Sequence, residues 1–506
     1  MTKRITTLLL AAAMLLGTAT VGSAIEFKTK GIWSMNYEYG SGGNFTERGR
    51  SVNGTKGTHT TGWGRYGEDQ FEAKSRVRLQ LDAVASEALS GTVYFEIGGI
   101  TWGRANRGGA LGADGTMVKI KHSYLDWVVP QTEVKVRMGI ERIFLPDFTT
   151  EASQAFDADT AGITVSVPVN ENLSLTGFWA RAYNDNWAGT GNSPQSYLDN
   201  FDLFGLTAPL RFEGLNITPW GLVGAFGSNT FRKNNDFYGK NNDGAGALGV
   251  APATYALNDG KVGRQIANAY STIFWAGLTG EAVAWNPFRL AWSFNYGQSD
   301  TGVETLNRKG WYGSLLAEYS MDWGVPGIYG WYTSGDDGNV KNGSERMPSI
   351  AGAGNFTSFV GDGNLSWSPV ANGCDWSMSY AGTWGIGAQL KDMSFIENVS
   401  HTFRLAYWGG TNATSMVKYM KDASSWQAGY RGDGPYLTTN DGLLEFNLVN
   451  TWQAYENLSV NLELGYVANM IDKDTWKKAS YNNGAGNGSF EKQDAWKAQL
   501  VFQYSF

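Results

Sequence analysis

Apolar and polar residues alternate along segment after segment of this chain, and this period of two constrains the fold more than any other feature. From Phe71 to Ala83 the odd-numbered residues are apolar or small, whereas the even-numbered residues from Glu72 to Asp82 are polar and mostly charged. Successive side chains of a β-strand point to opposite faces. The same alternation returns at 92–97, 134–141, 163–169, 444–448 and 458–464. The pattern predicts strands that each turn one face to hydrocarbon and the other to water.

The connections between these strands alternate in length. Short turns are predicted near 86–90, 130–133, 170–172, 213–216, 286–287, 323–326, 392–398 and 456–457. Between them lie long polar loops rich in Gly, Asn and Asp, near 40–70, 103–116, 143–160, 184–200, 229–268, 300–308, 337–377, 411–440 and 471–492. Eight short and nine long connections predict eighteen strands, with sixteen as the alternative. An even number puts both termini on the side of the short turns.

These strands favour an all-β fold, a transmembrane antiparallel β-barrel with short periplasmic turns and long extracellular loops. A large secreted β-sandwich or β-helix is the alternative, because it also alternates and also accepts Gly-rich loops. Against it, one face is apolar and the other is charged in strand after strand. A sheet in lipid satisfies its backbone hydrogen bonds only by closing. No stretch approaches the roughly 20 apolar residues that a membrane-spanning helix needs.

The first residues predict a secretory signal peptide. Lys3 and Arg4 precede an apolar run at 8–16, and small residues follow up to Ala24, which is the order of regions in a signal peptide. We therefore divide the chain into a signal peptide, 1–24, and a single barrel domain, 25–506. The one cysteine, Cys374, excludes an intramolecular disulfide framework. The net charge of −7 argues against nucleic acid as a partner.

The C-terminal segment carries the first family resemblance. Apolar or aromatic residues recur at every second position in 500–506, and the chain ends on Phe506 after Phe502 and Tyr504. This resembles the C-terminal signature of Gram-negative outer-membrane β-barrels. The resemblance implies that Phe502, Tyr504 and Phe506 are recognised by the barrel assembly machinery during biogenesis.

A second resemblance lies in the predicted hairpin of 75–96. Basic residues on one face of 75–82, a tight turn at Ala88 to Gly91 and an aromatic-Glu ending at Phe95-Glu96 resemble the second hairpin of general trimeric porins. The whole chain is similar to the homotrimeric porins of Desulfovibrio-type sulfate-reducing bacteria. The resemblance implies a homotrimer in the outer membrane, surrounded by lipid and lipopolysaccharide, through which small hydrophilic solutes and ions diffuse.

The same resemblance implies that the third long loop, at about 143–160, folds into the lumen. Its acids, which we expect at a constriction, are Asp147, Glu151, Asp157 and Asp159, and it contains no Lys or Arg. The basic residues predicted on the opposing wall are Lys74, Arg76, Arg78, Lys119, Lys121, Lys135 and Arg137. Opposed charges across a narrow aqueous gap filter ions and orient dipolar solutes. The alternative is that these are ordinary solvated charges of a wide pore.

A substrate-selective channel of the sugar type is the alternative function, since eighteen strands and many Trp suit an aromatic path along the lumen. The alternation of side chains along the strands argues against this function. It places large aromatics on the apolar, lipid-facing side, namely Phe71, Phe95, Phe446 and Tyr504. Aromatics on that side suit interfacial girdles. Tyr94 is an inward exception.

An enzyme is the third class, and the sequence does not support it. His59, His122 and His401 are scattered without a nucleophile pattern nearby. We expect no catalytic residues, no metal site and no cofactor. The run Asp336-Asp337-Gly338-Asn339 offers oxygen ligands of the kind that Ca²⁺ binds, but such runs are more often turns, and we do not assign a calcium site.

Overall fold

A computed structural model describes residues 25–41, 46–47, 70–105, 108–112, 118–184, 197–228, 269–350, 352, 354, 356–357, 380–420, 436–478, 491–492 and 494–506. The predicted signal peptide, His59 and Cys374 lie outside these residues.

The structure is a barrel of 18 antiparallel strands. In chain order they are β1 Glu26–Ser41, β2 Gln70–Ser86, β3 Leu89–Thr101, β4 Val118–Val128, β5 Lys135–Phe144, β6 Asp157–Pro168, β7 Ser174–Asn184, β8 Asn200–Thr207 with its continuation Leu210–Phe212, β9 Leu215–Gly227, β10 Tyr270–Ala282, β11 Phe288–Asp300, β12 Lys309–Tyr319, β13 Val325–Thr333, β14 Thr383–Ile396, β15 Val399–Gly410, β16 Gly442–Tyr455, β17 Leu458–Asn469 and β18 Ala495–Ser505. Each strand pairs with its neighbours in sequence, and β1 also pairs with β18, which closes the sheet.

The connections follow the predicted alternation. The short turns are 87–88, 129–134, 169–173, 213–214, 283–287, 320–324, 397–398 and 456–457, and each matches a predicted one. The prediction of eighteen strands is confirmed, and sixteen is wrong. The turn predicted at 392–398 is shorter than expected, because irregular pairing between Leu390 and Ile396 lets β14 continue to Ile396.

Helical structure is confined to the loops of the described residues. Three short 3₁₀ segments cover Tyr197–Asp199, Glu304–Leu306 and Thr414–Tyr419, and one helical turn covers Lys473–Trp476. A separate pair of two-residue strands joins Thr46–Glu47 to Glu491–Lys492. No helix in the described part of the chain is long and apolar enough to cross a membrane.

The outer face of the barrel is apolar, as the alternation predicts. Phe71 is 63% exposed and Leu315 is 58% exposed, although both are large hydrophobic residues. Many of the exposed aromatics lie toward strand ends, including Trp285, Phe288, Trp452, Tyr504 and Phe506. Aromatic girdles of this kind mark the two interfaces of a membrane barrel.

The inner face departs from the prediction in one respect. Trp220, Trp275, Tyr329, Trp331 and Trp408 belong to the inward parity of their strands and are buried. The alternation in the clearest strands predicts aromatic residues on the lipid-facing side. In the structure, these five aromatic side chains point inward and pack against loops that enter the lumen. They form two apolar clusters together with residues of those loops.

The closure of the barrel depends on the C-terminal residue. The backbone N–H of Gly31 donates to the Phe506 carbonyl at 2.9 Å, and the Phe506 N–H donates to the Gly31 carbonyl at 3.0 Å. The Phe506 ring lies 5.2 Å from Trp33 and 6.1 Å from Tyr504, centroid to centroid. This ring packs over Gly31, where a Cβ atom would collide with it and lie 2.8 Å from the Arg78 carbonyl oxygen.

We therefore predict that Gly31→Ala weakens closure, whereas Gly221→Ala does not. A Cβ at Gly221 meets nothing closer than 3.9 Å. Overpacking typically costs about 1–3 kcal/mol. The measurement is the temperature at which the folded band converts to the unfolded band in gel electrophoresis. Equal transition temperatures for the two variants would contradict this account of the closure.

Candidate functional site

The third long connection, which we call loop 3, covers 145–156 between β5 and β6. Its two ends are joined where the Leu145 N–H donates to the Phe156 carbonyl at 3.0 Å. Leu145 and Phe156 are buried with Ile143 and Phe178 in one of the two inner clusters. The apolar residues of loop 3 therefore hold it against the barrel wall at its base.

Loop 3 then crosses the lumen to a wall five to seven strands away. The Phe148 N–H donates to Thr279 Oγ1 of β10 at 2.9 Å, and Arg289 Nη2 of β11 donates to the Phe148 carbonyl at 2.9 Å. The hydroxyls of Thr149 and Ser314 of β12 lie 2.7 Å apart. These are the anchoring contacts of loop 3, and they hold it across the lumen.

A second loop supports loop 3 from above. Loop 7 connects Thr333 of β13 to Thr383 of β14, and the N–H of its residue Ile350 donates to the Ala155 carbonyl at 3.1 Å. The Tyr380 N–H donates to Gln154 Oε1 at 3.1 Å. Loop 7 is itself anchored by stacked rings, since Phe356 lies 4.9 Å from Trp331 with an interplanar angle of 6°. The alternation of residues along the strands does not predict these contacts between loop 7 and loop 3.

Asp147 is the buried acid of loop 3, with 5% of its surface exposed. Its Oδ1 accepts hydrogen bonds from Thr149 N at 2.8 Å, Thr149 Oγ1 at 2.6 Å and Thr150 N at 3.3 Å. Burial raises the pKa of the Asp147 carboxyl group, and these hydrogen bonds oppose the rise. Asp147 thus faces the wall of β11 and β12 and not the basic residues predicted opposite it.

The other three predicted acids lie in two different places, Glu151 in loop 3 and the other two on a strand. Glu151 is exposed at the tip of loop 3, with φ of 63°. Asp157 and Asp159 belong to β6 and not to the loop. The pairing of β5 with β6 continues to Phe144 and Asp157, which lie inside the predicted loop. They have the same parity as Ile163, which is 38% exposed on the outer face. The prediction that they are acids of the inward loop is wrong.

Local ion pairs explain the positions of those two carboxylates. Arg142 Nη2 pairs with Asp157 Oδ2 at 2.6 Å. Asp159 accepts from Lys121 and lies 2.8 Å from His122 Nε2. Lys121 is therefore engaged with β6 and does not face loop 3.

The rest of the predicted basic wall lies on β2, β3, β4 and β5. Arg78 Nε donates to Glu96 at 2.9 Å, and Arg76 lies 3.9 Å from the same carboxylate. Lys74 pairs with Glu72 at 3.3 Å. Two cations thus lie at one acid, Glu96.

The remaining three predicted cations lie on β4 and β5. Arg137 Nε donates to Asp126 at 2.6 Å and lies 3.6 Å from Glu141. Lys119 and Lys135 are exposed. Among the seven predicted basic residues, Arg76 and Arg78 lie beside Glu96 on the inner wall. Arg137 lies there beside Asp126 and Glu141.

The sequence analysis missed a row of inward charges on the far wall. Arg289 donates to Glu281 at 2.9 Å and to Glu318 at 2.7 Å, and Lys391 donates to Glu318 at 2.9 Å. Arg404 continues the row through Gln389 at 3.4 Å. We call Glu281, Arg289, Glu318, Lys391 and Arg404 the inner charged row. Each of these residues occupies an inward-facing position in the alternation of its strand. That alternation could have identified them from the sequence.

A cavity of about 680 Å³ lies on the periplasmic side of loop 3. It is lined by Phe148 and Pro146 of the loop, by Arg137 and Glu141 of the near wall, and by Arg211. The open part of the lumen is therefore bounded by charged residues of the barrel wall and by apolar residues of loop 3.

The described residues contain no group of three or more His, Cys, Asp and Glu that could hold a metal ion. Asp336 accepts hydrogen bonds from Ser344 and Tyr436, both at 2.5 Å. Asp337 Oδ1 accepts from the Asn339 N–H at 2.8 Å. These carboxylates fold loop 7, as turn residues do.

An eighteen-stranded closed barrel with loops inside its lumen defines an outer-membrane β-barrel fold. The chain is similar to a BenF-like porin from Pseudomonas fluorescens Pf-5, with 10% identity over 95% of this chain and 98% of that one and a TM-score of 0.50. It is equally similar to Pseudomonas aeruginosa OccK2 (OpdF), with 11% identity, the same two coverages and a TM-score of 0.50. These likenesses show the fold alone. No family model and no curated protein matches the sequence.

We predict that removing two anchoring hydroxyls, by Thr279→Val with Ser314→Ala, raises single-channel conductance and its fluctuations. Each lost hydrogen bond costs about 0.5–1.5 kcal/mol, which lets loop 3 leave the wall. The matched control is Ser166→Ala with Thr176→Val, which removes a lumen hydroxyl pair at 2.9 Å that does not touch loop 3. An equal change in both double variants would show that loop 3 does not narrow the passage.

Proposed function

We propose that this protein is an outer-membrane channel for passive diffusion of small hydrophilic solutes and ions, narrowed by loop 3. The observation that carries the proposal is the attachment of Phe148 and Thr149 to β10, β11 and β12 across the lumen. A loop held on both sides of the lumen divides its cross-section. The solute path then follows the open side, where the cavity beneath loop 3 lies.

We further propose that the channel prefers anions. Arg76 and Arg78 lie at Glu96 on the near wall, and Arg289 and Lys391 lie at Glu318 on the far wall. Fixed charges at a narrow neck set ion preference more strongly than the net charge of the protein. The acidic sequence therefore does not imply cation preference.

A substrate-selective channel is the second candidate function. Its support is the cavity beneath loop 3, in which Phe148 and Phe178 face charged groups such as Arg211. The sugar-type form has less support, because inward aromatics such as Tyr329 and Trp331 are only 4% exposed. Rings buried under loop 7 offer no surface for a sugar to stack on. A saturable current that a neutral sugar blocks would favour the sugar type after all.

We also propose the partners that the resemblance to Desulfovibrio-type trimeric porins implies. The apolar outer face and its aromatics suit outer-membrane lipid and lipopolysaccharide. Phe502, Tyr504 and Phe506 are 36%, 42% and 44% exposed on that face, where the barrel assembly machinery can reach them before closure. A homotrimer rests on the resemblance alone, and conductance that closes in three equal steps would support it.

The test of the anion preference is the reversal potential of the channel in a planar bilayer under a salt gradient. We predict that Arg76→Glu with Arg78→Glu shifts the channel toward cations, because three carboxylates then face the passage. The control is Lys473→Glu with Lys477→Glu, at the first residue of the helical turn Lys473–Trp476 and directly after it, where both residues are exposed. It changes net charge by the same amount. A reversal potential that moves equally in both variants would contradict the proposal.

A further inference from the structure

The carboxyl group of Asp147 is buried, but only one of its two oxygens takes part in hydrogen bonds. Oδ1 accepts all three hydrogen bonds from Thr149 and Thr150. Oδ2 has no hydrogen-bond partner. No cation of the described residues pairs with this side chain. A buried carboxylate without a counter-ion is costly, and such a group usually responds by taking up a proton.

The groups that face Asp147 are neutral on every element packed against it. β11 contributes Ser293 and β12 contributes Tyr312, and Thr279 of β10 binds the adjacent Phe148. Arg289 is the cation of this wall, but its guanidinium is already bound by Glu281, Glu318 and the Phe148 carbonyl. The Ser293 hydroxyl favours the ionised form of Asp147, but no cation among the described residues of this wall forms an ion pair with it.

We propose that Asp147 is a protonation switch that sets how firmly loop 3 is held on the wall. The neutral acid stabilises the anchored loop, and the carboxylate favours its release into water. The proposal rests on loop 3 narrowing the channel. A protonated carboxyl group also gains an O–H donor, which the Ser293 hydroxyl beside it can accept.

The direction of the pH response follows from the two states of the loop. In the anchored state burial raises the pKa of Asp147, whereas in a released loop the hydrated carboxyl group has an ordinary pKa of about 3.9. The stabilisation of the anchored state is therefore complete below the ordinary value and is lost as pH rises through the raised one. Between the two values, each pH unit changes the ratio of anchored to released loop by up to about tenfold.

Conductance over a pH series tests the switch. We expect the wild-type channel to show lower and quieter conductance as pH falls. Asp147→Asn keeps a neutral side chain at every pH, so its conductance should stay near the acid value of the wild type. The matched control is Glu151→Gln, which neutralises the exposed acid of the same loop and should keep the wild-type response. A pH response that survives Asp147→Asn, or disappears in Glu151→Gln, would overturn the proposal.

A second readout does not depend on ion flow and so separates this proposal from the proposed function. In a Cys374→Ser background, Ala152→Cys places a thiol at a buried position of loop 3, since Ala152 is 7% exposed, and Glu151→Cys places one at the exposed neighbour. The ratio of their labelling rates by a soluble maleimide cancels the pH dependence of thiol chemistry. We expect this ratio to rise with pH and to become constant when Asp147→Asn is added. A constant ratio without Asp147→Asn would refute the switch, even if the protein proved not to be a channel.

Discussion

Closure of the sheet is the constraint on which the rest of this structure depends. A strand in lipid has no water to satisfy its N–H and C=O groups, so an open edge is not tolerated. The pairing of β1 with β18 removes the two edges, and the backbone bonds between Gly31 and Phe506 extend that pairing to the last residue. Because closure fixes a wide cylinder, everything that limits passage has to be built inside it.

The interior is built from loops that the wall holds by polar contacts. Arg289 shows how this works, because its guanidinium binds Glu281, Glu318 and the carbonyl of Phe148 at once. The same side chain therefore belongs to the charged wall and to the anchor of loop 3. In the proposed channel, narrowing and ion preference depend on common residues, so a change in the anchor should alter both.

The sequence was sufficient for the barrel but not for the contacts within it. Alternation from Phe71 to Ala83 and the spacing of short turns predict the strand number, since both depend only on neighbours in sequence. The contact between Arg289 and Phe148 joins residues 141 positions apart, and no local pattern encodes it. Asp157 was misplaced because its polarity suggested a loop, whereas Arg142 compensates its charge on β6. Trp331 was missed because burial under loop 7 reverses the usual outward parity of aromatics.

The central claim is that loop 3 spans the lumen and is anchored to β12, and cross-linking tests it most directly. The hydroxyls of Thr149 and Ser314 lie 2.7 Å apart, so cysteines at these positions are placed close enough for a disulfide. In a Cys374→Ser background, Thr149→Cys with Ser314→Cys should form an intramolecular disulfide on mild oxidation of outer membranes, detected as a reducible shift in gel mobility. Two thiols that stay free and are alkylated separately would contradict the account.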